Sequence, residues 1–351
     1  MKLKPNIASM DAYTPGKTVP GAVKLSSNEN PLGPSPKAVE AIKDVLSGVH
    51  RYPDGASTTL KRTLAESWDV APESIMVANG SDEVFALLAA SWISPGENAV
   101  GVRETFSQYR YAVGLFGAQM REISLKDGEY HLEGMLEQVD EQTRIIFLCN
   151  PNNPTGTYRS HRDILDFLKK IDSEVLVVLD EAYADFADEE DFPNSRKLLE
   201  AFPNLVVTRT FSKLYGLAGL RVGYAVGDPK IISGTDRASM PFNVNNLAQA
   251  AALAALSDID HKQRTLDLVR TEKAFFEQEL DKRGIFHYPT QANFICFELK
   301  NDVAELWAPI AERGIALRDL RSFGLPRMAR YTFGTRQNNI RLLEILDELL
   351  G

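Results

Sequence analysis

Thr210-Phe-Ser-Lys-Leu-Tyr-Gly-Leu-Ala-Gly-Leu-Arg221 closes an apolar run, Leu205 to Thr210, that reads as a buried strand. Ser212 precedes Lys213, small residues follow at Gly216, Ala218, Gly219 and Gly223, and Arg221 stands among them. A lysine on the loop after a buried strand can be desolvated. Desolvation disfavours the ammonium and frees an amine to condense with a carbonyl. Ser212 and Arg221 suit a phosphate held beside that amine. Taken alone, Ser-Lys in a Gly-rich loop is an ordinary surface lysine. The surrounding chain overturns that reading.

Working outward, short apolar strands alternate with amphipathic helices. Strands are expected at Ser74–Ala78, Asn98–Val102, Met120–Ser124, Arg144–Leu148, Val175–Leu179, Leu205–Thr208 and Val222–Val226. Helical spacing falls at Asp82–Trp92, Tyr109–Phe116, His131–Gln138 and His161–Ile171. Such alternation implies an α/β fold with a mainly parallel sheet covered by helices. Long helical patterns follow at Leu247–Leu256 and His261–Arg283. A smaller α+β part then mixes strands (Asn293–Leu299, Ile315–Arg318, Ala329–Phe333) with helices (Val303–Arg313, Asn338–Leu350). Residues 1–35 are rich in Pro, Gly and Asn and read as an arm. The expected division is an arm at 1–35, a small domain at 36–47 and 255–351, and a large domain at 48–254.

Several loops next to those strands carry polar groups. Asn79-Gly-Ser-Asp-Glu83 joins a strand to a helix, so free N–H groups at the helix start can hold an anion; a plain cap by Ser81 or Asp82 is the other reading. Asn150-Pro-Asn-Asn-Pro-Thr-Gly156 fixes an irregular loop where open α/β sheets bind ligands. Asp180-Glu-Ala-Tyr183 ends an apolar strand. A carboxylate there is costly without a cationic partner, which a protonated pyridine nitrogen would supply; a helix N-cap is the alternative. With the aromatic segment Thr105-Phe-Ser-Gln-Tyr109, the set matches what a planar phosphorylated pyridine aldehyde requires.

Composition narrows the rest. The chain has 351 residues, 44% hydrophobic and 25% charged, enough for a large core and two domains. A net charge of −9 argues against nucleic-acid binding, so anionic ligands need local cations. Two cysteines, Cys149 and Cys296, lie in apolar runs, as buried thiols in a reducing compartment do. No metal-ligand spacing, signal peptide or membrane-length run is seen, and a cytoplasmic protein is expected.

The order and wording of these stretches resemble the fold-type I pyridoxal-phosphate aminotransferases, and within them the histidinol-phosphate aminotransferase family. The resemblance runs nearly end to end. It covers Tyr-x-Pro-Gly-Lys, Asn-Glu-Asn-Pro-x-Gly-Pro-Ser-Pro, Arg-Tyr-Pro-Asp, Asn-Gly-Ser-Asp-Glu, Pro-Asn-Asn-Pro-Thr-Gly, Asp-Glu-Ala-Tyr and Ser-Lys-x-x-Gly-Leu-Ala-Gly-x-Arg-x-Gly-Tyr. It implies pyridoxal 5'-phosphate as cofactor, Lys213 as the Schiff-base lysine and Asp180 as the pyridinium partner. Asn153 and Tyr183 become ligands of the ring oxygen, and Phe106 the stacking aromatic. Gly80, Ser81, Asp82, Ser212 and Arg221 become the phosphate cup, with Tyr52 reaching it from the other subunit of a homodimer. Arg330 is implied for a substrate carboxylate, Arg318 and Tyr13 for a substrate phosphate, and Asn30 stands with them on the substrate side. The implied reaction is transamination between L-histidinol phosphate and 2-oxoglutarate. Rivals sharing these motifs are an aromatic amino-acid aminotransferase and a threonine-phosphate decarboxylase; a cofactor-binding regulator without turnover is a third.

Two stretches depart from the family. Arg330-Tyr-Thr-Phe-Gly-Thr335 is followed by Arg336-Gln-Asn-Asn339, where the family usually reads Arg-Ile-Thr-Ile-Gly-Thr and Glu-Glu-Asn. Arg321-Ser-Phe-Gly-Leu-Pro-Arg-Met328 carries extra arginines. Both bear on substrate choice.

Overall fold

The computed structural model describes residues 1–10, 19–300 and 302–350. Its main sheet has seven strands: β1 Ile75–Ala78, β2 Asn98–Val102, β3 Gln119–Ile123, β4 Thr143–Cys149, β5 Leu176–Asp180, β6 Leu205–Thr210 and β7 Gly223–Gly227. They lie in the order β1-β7-β6-β5-β4-β2-β3. All pairings are parallel except those of β7, which runs antiparallel to both β1 and β6. Every residue of β1, β2, β5 and β7 is buried, while edge strand β3 is partly exposed. Such continuous apolar runs are what a sheet covered on both faces demands. On β1, Ile75 and Val77 enter one hydrophobic core and Met76 and Ala78 another, so the strand's alternation serves both faces.

A second sheet has three antiparallel strands, with Met328–Thr332 between Arg318–Asp319 and Phe294–Glu298. The strand expected over Ile315–Arg318 divides. Ile315–Ala316 pairs in parallel with Val23–Lys24, and Arg318 turns to the three-stranded sheet. Helix Pro36–Val45 packs on helix Asn246–Leu256, so the segment after the arm joins helices some 200 residues later. Helix Ile259–Lys282 buries Val269, Phe276 and Leu280.

Arg330 and Phe323 of the departing stretches line the cavity described below, while their added arginines and Asn339 bond elsewhere. Glu272, almost wholly buried, accepts from Arg336 Nε at 2.9 Å and from Asn339 Nδ2 at 2.6 Å. Arg321 pairs with Asp319 and Arg327 with Glu298. Among the described residues no helix is long and apolar enough to cross a membrane, and no cluster could hold a metal ion.

Candidate active site

The parallel strands end on one edge of the main sheet, and the polar loops gather there around a cavity of about 610 Å³. Gly80 follows β1, Asn153 follows β4, Asp180 ends β5 and Lys213 follows β6. Arg221 instead precedes its strand; because β7 is antiparallel, its start lies at the same edge.

Asp180 is 2% exposed. Its Oδ2 accepts from the Tyr109 hydroxyl at 2.5 Å, and its Oδ1 from Thr208 Oγ1 and the Ala182 amide, each at 3.1 Å. It has no ion-pair partner among the described residues. Burial therefore raises its carboxyl to about 6, against the lowering effect of those donors. Across the cavity, Lys213 Nζ donates to the Ser27 carbonyl at 3.0 Å and sits 5.7 Å above the Tyr183 ring. Burial first, and the neighbouring Arg330 cation second, lower its ammonium to about 8. The Tyr183 hydroxyl accepts from Asn28 Nδ2 at 2.9 Å, and burial pushes its phenol up. Asn153 Oδ1 accepts from Arg330 Nη1.

At the cavity's other end, helix Gly80–Trp92 begins without a side-chain cap. Neither Ser81 nor Asp82 caps it; Asn79 is the cap residue, and its own amide donates to Glu83 Oε2 at 2.6 Å. The first-turn N–H groups thus remain for a ligand. Gly80 has φ +77°, and a Cβ there would lie 2.8 Å from Arg221 Nη2. A Cβ on Gly223 would lie 2.8 Å from the Ser81 amide nitrogen. Arg221, itself at φ +53°, pairs with Asp82 at 3.1 Å; burial raises the Asp82 carboxyl while Arg221 opposes the rise. Ser81, Asp82, Ser212 and Arg221 line this end of the cavity, and Phe106 its side.

Arg330 is 6% exposed. Its Nη2 donates to the Ser26 carbonyl at 2.6 Å, its Nε finds no partner, and no carboxylate pairs with it among the described residues. Burial lowers its guanidinium to about 10. Arg318 stands opposite it in strand register and also lacks an ion pair among the described residues. Its guanidinium lies 5.9 Å from the Phe323 ring centre.

Three expected residues stand apart. Asn30 does not line the cavity. Its Nδ2 donates to Leu214 O at 2.8 Å and Thr265 Oγ1 at 3.2 Å, and its Oδ1 accepts from Leu32, so its polar atoms are spent inside the fold. Asn28, two residues earlier and at φ +57°, takes the place at the cavity wall. Tyr52 is 82% exposed on the outer surface, stacked on Phe242 with ring centres 4.6 Å apart. Tyr13 lies outside the described residues. The sequence reading also missed Tyr109, Thr208 and the carbonyls of Ser26 and Ser27. A signal existed for Tyr109, three residues after Phe106 at the start of a helix and so one turn along it. Backbone carbonyls leave no signal at all.

A buried carboxylate without a cation, a helix start without a cap, and glycines where a Cβ would fill the cradle together fit pyridoxal phosphate. The ring nitrogen would face Asp180 and the phosphate the Gly80–Asp82 turn.

Comparison with known proteins agrees. The sequence pattern of the family described as aminotransferase class I and II matches residues 20–346. The chain belongs to the class I and II aminotransferase family, and within it to the histidinol-phosphate aminotransferases. It is 39% identical over 359 residues to the histidinol-phosphate aminotransferase of Brevibacillus brevis, covering 100% of this chain and 99% of that one. It is 39% identical over 363 residues to that of Bacillus subtilis, covering all of both. The structure of the Sinorhizobium meliloti histidinol-phosphate aminotransferase, in complex with pyridoxal-5'-phosphate, superposes with a TM-score of 0.88 at 25% identity, over 99% of this chain and 98% of that one. The L-threonine-O-3-phosphate decarboxylase of Porphyromonas gingivalis superposes with a TM-score of 0.80 at 25% identity, over 93% and 99%.

Proposed function

We propose that the protein transfers the amino group of L-histidinol phosphate to 2-oxoglutarate, giving imidazole-acetol phosphate and glutamate, with pyridoxal 5'-phosphate as cofactor. One observation carries this reading. A single cavity brings together a desolvated lysine amine, a buried carboxylate without a cation, and two adjoining guanidiniums without carboxylates.

The cofactor, when bound, supplies an electron sink conjugated to the substrate α-carbon. The chain's residues do the rest. Lys213 Nζ, neutral for much of the time near pH 8, would hold the cofactor and, as a free amine, would serve as general base and acid for the proton on the substrate α-carbon. Asp180 holds a proton on the ring nitrogen. Asn153 and Tyr183 would hold the ring oxygen, and Phe106 would cover one face. The Gly80–Asp82 turn, Ser212 and Arg221 hold the phosphate. Arg330 and Arg318 receive the substrate anions; a planar fork suits both a carboxylate and a phosphate monoester.

The domain division follows the same logic. The large domain, 48–254, carries Lys213 and Asp180, and the small one, 36–47 with 255–351, brings Arg318 and Arg330. Exposed Tyr52 is assigned to the neighbouring chain of a homodimer, working in the cytoplasm. Kinetics with 2-oxoglutarate and histidinol phosphate, phenylalanine or threonine phosphate test the reading. Histidinol phosphate should give the highest kcat/KM. A preference for phenylalanine, or carbon dioxide released from threonine phosphate, would replace it with one of the rival activities.

A further inference from the structure

Asp180 has a role in the reading above, but the group that grips it has none. Tyr109, on helix Gln108–Leu115, is buried at 1% exposure. Its ring stacks on Phe147 with centres 4.9 Å apart and stands edge-on to Phe85 at 4.9 Å and to Phe106 at 5.8 Å. Three aromatic neighbours thus fix a phenol whose one polar atom donates to Asp180 Oδ2 at 2.5 Å. Packing alone would be met by phenylalanine. A buried hydroxyl is costly unless bonded, and a short bond to an anion is the strong kind.

We propose that Tyr109 is a positioning residue for the reaction: its hydroxyl holds Asp180 as an anion aimed into the cavity, so that the proton shared with the bound pyridine ring stays on the ring nitrogen. The inference rests on the pyridoxal-phosphate reading given above. A carboxylate that accepts strong hydrogen bonds is a weaker base, and a weaker base leaves the proton with its partner. The groups acting on Asp180 come from several elements. Asp82, on helix Gly80–Trp92, repels the anion, while Thr208 on β6 and the Ala182 amide donate to it. Cys149 at the end of β4, with Tyr130 and Tyr183, is kept neutral by burial. Of the three donors, Tyr109 alone makes the short bond, and it alone serves Oδ2.

The test is Tyr109→Phe, which keeps the ring. In cofactor-free protein with ¹³C-labelled aspartate carboxyls, Asp180→Asn identifies the Asp180 signal. Its midpoint, near 6 in the parent, should rise by on the order of one to two units in Tyr109→Phe, the equivalent of one hydrogen bond to a charged group. Site-specific 3-fluorotyrosine at position 109, a stronger donor of nearly the same shape, should lower it, and gives the answer even if Tyr109→Phe fails to fold. Titrations unmoved by either change overturn the proposal. In the loaded protein, a ¹⁵N-labelled ring nitrogen should be protonated in the parent and lose that proton in Tyr109→Phe; a ring still fully protonated overturns the second half. A parent that does not hold the cofactor would sink the functional reading, while the cofactor-free titration still judges the Tyr109–Asp180 bond.

Discussion

Asp180 is asked to be charged in a place that disfavours charge, and this has a measurable cost. Its folded value, about 6, lies above the 3.8 of an ordinary aspartate, so between those values the folded chain binds more protons than the unfolded one. Stability from this group is present at low pH and lost as pH climbs from about 4 to 6. Cofactor-free Asp180→Asn lacks that loss. Above pH 6 it should gain on the parent by on the order of 3 kcal/mol, with the gap closing below pH 4. Denaturant melts of both proteins from pH 3.5 to 8 check it; a gap that does not change with pH would contradict the assignment. The same variant should lose roughly 10²–10⁴ in turnover with cofactor, since the ring nitrogen loses its anion. Residues of this kind were legible in the sequence when a loop beside a strand carried them, as with Lys213, Asp180, Asn153 and Arg221. Asn28 was not, because its significance lies in a partner 155 residues away, and Tyr109 showed only its spacing from Phe106, not its bond to Asp180 71 residues on. Asn30 illustrates the converse. It shares a motif with Asn28, yet the backbone between them turns it inward, onto Leu214 and Thr265.

β7 brings Gly223 against the start of helix Gly80–Trp92. A Cβ at Gly223 would meet Gly80 C and Ser81 N at 2.8 Å and Arg209 O at 2.9 Å, all backbone atoms that cannot swing aside. Gly223→Ala should therefore destabilise the protein by roughly 1–3 kcal/mol, as overpacking does. It should also weaken cofactor binding about tenfold or more, because 1.4 kcal/mol of misfit at the helix start suffices for that. Gly219→Ala, four residues earlier with no heavy atom within 4 Å, is the control and should be near neutral. Equal effects in the two variants, by melting and cofactor titration, would remove close approach as the cause. All seven main strands were legible as apolar runs. Helix Thr58–Trp68 was not, since it buries only Leu60, Leu64 and Ala65 and starts without a side-chain cap. The reversed direction of β7 was equally hidden, because periodicity tells which faces a strand buries and nothing of which way it runs.

At the scale of the whole molecule, Tyr52 and Phe242 stack on the surface, and these two with Met240 are exposed apolar side chains outside the chain's own cavity lining. The proposed homodimer would cover them and deliver Tyr52 to the neighbouring phosphate cup. Mixing Lys213→Ala with a severe Tyr52 substitution tests this. Hybrid dimers have one site with both residues intact, so random exchange should restore roughly a quarter of parent activity by two-fold symmetry. Activity that stays at the mean of the two variants after proven exchange would refute the shared site. The strand order sets a timetable as well. Among the described residues β1 pairs with no strand except β7, and its residues are finished well before residue 223 is made. At ribosomal speeds of about 5–20 residues per second, the nascent chain carries β1 unpaired for roughly 7–30 s. Gly80 and Arg221 meet only when β7 slots in beside it, so the anion cup is among the last parts of the sheet to exist. A chain stalled on the ribosome before residue 221 can have most of its strands and still nowhere to put a phosphate.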